Sequence, residues 1–507
     1  MAPVKLWEKF KHLFGPRDLT KGPIAKGLLL FMIPTMLSLL FQQFYTMADA
    51  AIVGKTLTSE AFAGINNSSP LVFLILEFGV GCASGFAVVV GERFGAKDDE
   101  GARKSFFVQI ILSLFVAAIM TGLGIALTPW VLSVLRITPS SSDPSKNAIY
   151  ENARLYLTIL FSGCIGTVFY NMLVAVLRAK GDSFFPFLIL VCSTLLNIAL
   201  DALFVIAFGW GVAGSAIATI LSQVLAALVT LLYTYVRYPE LRIHKEDTKS
   251  PMSFYWRHIK LGFPLGLQYS VLAIGMIVMQ ASIVAFDVDS GGAFIDSLPA
   301  ELGYGAGCKI INLLFCPLNA LGQGILTFVS QNHGAGDQKR IKQGIKAAII
   351  IGTISWAICN LVGLLMTING AYQYLFLSRD KVTQTSILYG NIYLYISVPG
   401  LYFILLLFVV RNTLQGYEKP LWPFVSGVAE LLARVAVCLF VPYLFTGGQP
   451  INSGSSMWAY AAVASSDAVA WIISPLVSLP ALIIVMKKKD KEGIFQKQIE
   501  EDTISNP

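Results

Sequence analysis

The sequence predicts an all-α integral membrane protein in which twelve transmembrane helices form two pseudo-symmetric six-helix bundles, a parallel repeat. Three observations carry the prediction. The 507 residues are 55% hydrophobic and only 13% charged, with a mean hydropathy of +0.67, whereas a soluble domain carries about 25% charge. Apolar runs of about 20 residues, the length a helix needs to cross a bilayer, recur twelve times. One stretch is also written twice: GFAVVVGERFGAKDDEGARKSF from Gly85 and GILTFVSQNHGAGDQKRIKQGI from Gly324. The two copies share the opening glycine, Val90/Val329, Gly95/Gly334, Ala96/Ala335 and Asp98/Asp337, followed by basic residues.

The chain opens with a polar segment, 1–27, that holds Lys5, Lys9, Lys11, Arg17, Lys21 and Lys26. It shows no short apolar stretch with a small-residue cleavage site, so no cleavable signal peptide is expected. Six spans then make a first lobe, 28–236: 28–53, 62–91, 106–131, 151–177, 185–208 and 212–236. The last two are divided only by Gly209, Trp210 and Gly211. A charged connection, 237–258, is too short to be a domain. The second lobe, 259–486, has spans at 259–286, 303–330, 345–368, 386–410, 421–446 and 457–486, and a polar tail, 487–507, closes the chain.

The lobes align beyond the doubled stretch. Pro34 pairs with Pro264 at an offset of 230, Gly85 with Gly324 at 239 and Pro186 with Pro423 at 237. The jump of nine is an insertion, Asp287 to Glu301, an acidic and glycine-rich loop that also holds Asp289 and Asp296. Six spans per lobe start both on the same side, so the repeats are parallel and related by an axis along the membrane normal.

Lys and Arg set the orientation. Of the 37, 29 fall on the side of the termini, counting Arg178 and Arg411 there. Six fall opposite (Lys55, Arg136, Lys146, Arg154, Arg379, Lys381), and Lys309 and Arg434 lie inside spans. Both termini are therefore expected in the cytoplasm. The formal charge of +7 is accounted for by loops facing anionic lipid headgroups, so no nucleic-acid partner is expected. All seven cysteines fall in apolar runs without metal-ligand spacing and read as small buried hydrophobes. The four histidines (His12, His244, His258, His333) fall in predicted cytoplasmic segments, and there is no P-loop or HExxH. No catalytic residue, metal, cofactor or obligatory protein partner is expected.

Ionisable groups within the bilayer are costly and mark function. Asp49 lies near the outer end of span 1, Asn197 and Asp201 share one face of span 5, and Thr219 follows in span 6. At ~1.5 Å rise per residue all four fall in the outer half of the bilayer. Two carboxylates, an amide and a hydroxyl at one level suit a proton or a sodium ion. At the repeat offsets Asp49 maps to Met279, Asn197 to Arg434 and Asp201 to Cys438, so this chemistry belongs to the first lobe alone. The second lobe instead carries Lys309 and an i,i+4 ion pair, Glu430 with Arg434. Phe41, Tyr45, Gln268, Met276, Met279 and Tyr402 are candidates to line a cavity for flat hydrophobic substrates. Pro34, Pro186, Pro264, Pro317, Pro399, Pro423 and Pro475 are candidate kinks.

IPTMLSLLFQQFYTMADAAIVGK with EAFAGINNS, LRAKGDSFFPF at 177–187, NIALD at 197–201, VSQNHGAG at 329–336 and LQGYEKPLWPF at 414–424 together resemble the bacterial multidrug and toxic compound extrusion (MATE) family. The likeness covers about 28–486. It implies a twelve-helix, two-lobed antiporter of the bacterial cytoplasmic membrane that exports drugs or organic metabolites on a proton or sodium gradient. Its small-molecule substrate would be a lipophilic organic cation. The family's first-lobe cation site falls on Asp49, Asn197, Asp201 and Thr219. Some relatives place an acid in span 7 eight residues after the proline. Here that residue is Leu272, and Lys309, Glu430 and Arg434 resemble a branch whose second lobe carries its charges elsewhere. Two other classes compete: a flippase for lipid-linked saccharides, which needs a more cationic cavity, and a membrane-embedded enzyme, for which no nucleophile–base or metal constellation is found.

Overall fold

The computed structural model describes residues 15–134, 137–139, 143–295 and 298–505, without the side chains of 48–55, 66, 67, 70, 134, 380 and 493–505. Asp49 and Lys55 keep their backbone but not their side chains in that description, and Lys5, Lys9, Lys11, His12, Arg136 and Asp296 lie outside it. The described residues are mostly helical, with no β-strand among them. In order the helices are α1 (Ile24–Thr56), α2 (Ser59–Gly95), α3 (Asp99–Val134), α4 (Pro144–Ser162), α5 (Cys164–Ala179), α6 (Phe184–Asp201), α7 (Gly211–Arg237), α8 (Met252–Val284), α9 (Pro299–Gly334), α10 (Gln338–Met366), α11 (Gln384–Gly416), α12 (Leu421–Phe440), α13 (Tyr443–Thr446), α14 (Met457–Ala464) and α15 (Ser466–Ser505).

Among the described residues, eleven helical runs are long and apolar enough to cross a membrane, and the bent pair α4–α5 makes a twelfth when read as one span. That pair corrects the expectation of an unbroken helix over 151–177. The axis turns by 49° at Ser162–Gly163, a Ser/Gly pair of the kind that kinks helices. The thin division between spans 5 and 6 is real. Gly209 and Gly211 hold φ of +68° and +58°, a left-handed region that other residues enter only under strain. The acidic insertion has a structural role, because the buried Asp287 carboxylate accepts the amides of Ala300 (2.8 Å) and Glu301 (2.7 Å) and so caps α9.

The chain divides into two compact units. One holds the N-terminal segment to Gly22, Leu30–Ser270 and Ser330–Ala335; the other holds Pro23–Leu29, Val271–Val329 and the chain from Gly336 onward. These differ in extent from the two sequence repeats. The first half of α8 packs on α2, where Phe78 and Phe263 meet edge to face at 5.7 Å and the Ser270 hydroxyl donates to the Leu74 carbonyl at 3.0 Å. His258 is therefore not in a loop: it is buried in α8, with Ser105 Oγ 2.6 Å from one ring nitrogen and the Phe254 carbonyl 2.9 Å from the other. Arg411 likewise is not in a loop, because α11 runs on to Gly416 and buries it. Of the cysteines, Cys192 is exposed on α6 and Cys308 is only half-buried, which corrects the expectation that all seven are buried.

Within the first unit the two written copies meet. A Cβ added to Gly95 would strike the carbonyl oxygen of Gln331, and one added to Gly334 would strike that of Glu92. At the offset of 239, Glu92 is the counterpart of Gln331 and Gly95 that of Gly334. One contact is thus made twice about a local two-fold axis, and only glycine permits so close a backbone approach. The N-terminal segment straps this joint. The Leu19 amide donates to Gln331 Oε1 (2.9 Å), Asn332 Nδ2 to the Leu19 carbonyl (3.2 Å) and Gln331 Nε2 to the Ala179 carbonyl (2.7 Å). Beside it the buried Asp182 accepts the hydroxyls of Tyr233 and Tyr238, both at 2.9 Å, and the Phe185 amide. Burial pushes the Asp182 carboxyl above its ordinary value, and the three donors offset only part of that rise.

Candidate functional site

Helix α6 is built inside out. Its buried residues, Pro186, Ile189, Ser193, Thr194, Asn197 and Asp201, recur at helical spacing, while Leu188 and Leu195 are exposed. In lipid this is the expected sense, since the apolar face meets hydrocarbon and polar groups turn toward other helices. Asn197 is 2% and Asp201 1% exposed. Directly after Asp201 the backbone widens into a π-helical turn, Ala202–Ala207, a departure from α geometry that recurs at functional sites. Phe204 stacks on Trp210 at 5.0 Å and closes the turn that follows.

The Tyr45 hydroxyl on α1, expected only as a cavity residue, donates to Asn197 Oδ1 at 2.7 Å. Asn197 and Asp201 lie one helical turn apart on the same buried face. Thr219 is half-buried on α7, where its hydroxyl donates to the Ser215 carbonyl at 3.1 Å. Asp49 falls within α1, but its side chain lies outside the described residues. Among the described residues no group of three His, Cys, Asp or Glu side chains is disposed to hold a metal ion.

Among the cavity candidates, Gln268 and Met279 are fully buried. Phe41 and Tyr45 are half-buried and Met276 is exposed. Tyr402 meets Trp356 edge to face at 5.1 Å.

The second unit carries a larger charged cluster than the sequence indicated. Glu430 and Arg434 do approach, at 3.4 Å, but each has a shorter partner. Arg411 Nη2 reaches Glu430 Oε2 at 2.8 Å and Ser474 Oγ at 2.9 Å. Arg434 Nε reaches Asp467 Oδ1 at 2.8 Å, and the Tyr393 hydroxyl donates to the other Asp467 oxygen at 3.2 Å. All four ionised residues are between 4% and 8% exposed, so two guanidinium groups are matched by two carboxylates. Sequence reasoning missed Arg411 and Asp467. Charge balance was the available signal, because Glu430 alone cannot neutralise the bases buried with it, and Asp467 is the acid that opens α15. Lys309 stands apart, exposed on α9 with its ammonium 5.1 Å from the Phe376 ring centre, a cation–π contact.

Known proteins resemble this chain in sequence and in fold. The family model MatE matches residues 34–203 and 302–440, a segment in each repeat. The probable multidrug resistance protein YpnP of Bacillus subtilis is 30% identical over 328 residues, covering 64% of this chain and 68% of that protein. The probable multidrug resistance protein YoeA of the same organism is 25% identical over 417 residues, covering 81% and 85%. A structure of a multidrug resistance MATE family transporter in an outward-facing conformation superposes with a TM-score of 0.78 at 21% identity, covering 93% of this chain and 98% of that one, a likeness of fold. With both repeats matched and the two-lobed helical fold in place, this chain belongs to the MatE family of multidrug and toxic compound extrusion transporters.

Proposed function

We propose that the protein is a secondary antiporter of the bacterial cytoplasmic membrane, with both termini in the cytoplasm. It exports lipophilic organic cations and related drugs in exchange for H⁺ or Na⁺ bound at Asp49, Asn197, Asp201 and Thr219. The observation that carries this reading is Asp201, a carboxylate buried on the inward face of α6 at the start of a π-helical turn, one turn from the Asn197 that Tyr45 ties to α1. A carboxylate so placed changes its charge when it takes up a cation, and the neighbouring π turn is a backbone element able to respond. In the cycle, cation binding from outside favours the state that expels substrate, and substrate binding from the cytoplasm favours inward release of the cation. Exchange requires only that the two ligands prefer opposite states.

The flippase reading is less well supported, because the bases that a pyrophosphate would need are already neutralised at Arg411 and Arg434. The test is ethidium efflux from proteoliposomes under separately imposed pH and sodium gradients, comparing wild type with Asp49→Asn and Asp201→Asn. Transport driven by one gradient and lost in both variants is expected. Wild-type rates in either variant, or no transport by the wild type under either gradient, would overturn the reading.

A further inference from the structure

We propose that Glu77 is the anionic anchor for the organic cation that this transporter exports. The inference rests on the export reading above and adds the residue that selects for positive charge.

Glu77 is the central residue of α2, eighteen positions from Ser59 and eighteen from Gly95. At 1.5 Å per residue it stands roughly 27 Å from either end, within the membrane-spanning run Leu71–Gly95. The other faces of α2 are occupied at this level. The backbone at Gly79 packs against Met120 and Val168, Phe78 lies against Phe263, and the Leu74 carbonyl accepts from Ser270. Glu77 stands between two sides of the helix: Leu74 and Gly81, which face α8, and Phe73, Val80 and Ser84, which are exposed or half-buried.

The Glu77 carboxylate makes no hydrogen bond or ion pair with any described residue. In this it differs from six other enclosed acids of the chain. Glu92 pairs with Arg257 at 2.7 Å and Asp247 with Arg103 at 2.7 Å. Glu430 and Asp467 face guanidinium groups, Asp182 takes two tyrosine hydroxyls, and Asp287 takes two backbone amides. A carboxylate at bilayer depth facing hydrocarbon is not tolerated, and such residues line water-filled paths or meet a partner. With no partner among the described residues, Glu77 is held for one that comes and goes.

The surroundings favour an organic cation over a metal ion. A hard cation takes several oxygen ligands at once. Opposite Glu77 on α8, the Ser270 hydroxyl is already spent on Leu74, and Gln268 is fully buried. What accompanies the carboxylate is aromatic: Phe73 one helical turn away, and Phe78 with Phe263 beside it. One negative charge among rings matches a weakly hydrated ammonium or phosphonium on an apolar body. At the offset of 239 the counterpart of Glu77 is Cys316, so the second repeat has no such anchor.

The experiment measures binding of tetraphenylphosphonium and of an uncharged dye to the purified full-length protein, for wild type, Glu77→Gln and Glu77→Asp. Glu77→Gln is expected to weaken phosphonium binding at least tenfold and Glu77→Asp by less, with the uncharged dye bound as in wild type. Carbodiimide should label Glu77, and phosphonium should protect it. Phosphonium binding by Glu77→Gln within twofold of wild type, equal loss of both ligands, or labelling that phosphonium does not slow would each overturn the proposal. Its failure is separable from that of the export reading. Gradient-driven cation efflux that persists in Glu77→Gln removes only the anchor, whereas absence of efflux in wild type removes the export reading itself.

Discussion

Asn197 and Arg434 occupy equivalent positions in the two repeats, at an offset of 237, and their surroundings have opposite electrical character. Around Asn197 the structure gathers a phenol, an amide and the Asp201 carboxylate. Around Arg434 it gathers two guanidinium groups and two carboxylates, each within 3.4 Å of an opposite charge. At the first site a carboxylate stands without a basic side chain among the polar groups named, whereas at the second each charge is already paired with its opposite. On the proposed exchange mechanism, the same helix position in a duplicated fold serves as a switch in one repeat and a clamp in the other, according to whether its charge is compensated.

The widest separation between the sites should appear on removing one charge from each. Glu430→Gln removes the carboxylate that Arg411 meets at 2.8 Å and leaves Asp467 facing Arg434, and loss of one partner from a buried pair costs about 3–5 kcal/mol. Thermal unfolding in detergent should show a large loss of stability, with efflux falling only in proportion to the folded protein recovered. Asp201→Asn should do the reverse, with gradient-driven efflux falling about a hundredfold, equivalent to about 2.7 kcal/mol, while the melting temperature stays near that of wild type. Stable but uncoupled Glu430→Gln protein would erase the distinction.

A double-mutant cycle sharpens it further. Arg434→Met with Asp467→Leu removes a whole pair and leaves Arg411–Glu430 intact, so the double variant should be more stable than the two single losses predict, by about 2 kcal/mol. Additive losses would mean that the contact contributes no coupling. The smallest effect belongs to Tyr45→Phe, which deletes one hydrogen bond to Asn197. A stability change of about 1 kcal/mol should accompany a few-fold loss of efflux, and a variant unaltered in efflux would detach α1 from the switch.

The sequence resolved features whose cause is local. Runs of apolar residues give spans, Gly209–Trp210–Gly211 gives the turn its φ values require, and Asn197 with Asp201 four residues on gives a polar face. It failed where the cause is a partner distant in the chain. Arg411 reads as the first residue of a basic loop until Glu430 and Ser474 are seen to enclose it. Asp467 lies inside the apolar run 457–486 and carries no mark of its own until Arg434 reaches it. His258 reads as a linker residue until α8 is seen to begin at Met252 and Ser105 to meet its ring. The bend at Ser162–Gly163 was hidden inside a run apolar enough for one span. The strap from Leu19 to Gln331, across 312 positions, has no local signature at all.

Because Gly95 and Gly334 each seat on backbone supplied by the other copy, the first bundle leaves the ribosome unfinished. Gln331 is synthesised 236 positions after Gly95, which at roughly 5–20 residues per second is an interval of tens of seconds. Through that interval the Leu19 amide and the Ala179 carbonyl wait for Gln331. A nascent chain stopped before Ser330 would insert its early helices yet display an open end to the quality-control machinery. Synthesis of the second copy, through Gly334, would then be the event that certifies the first.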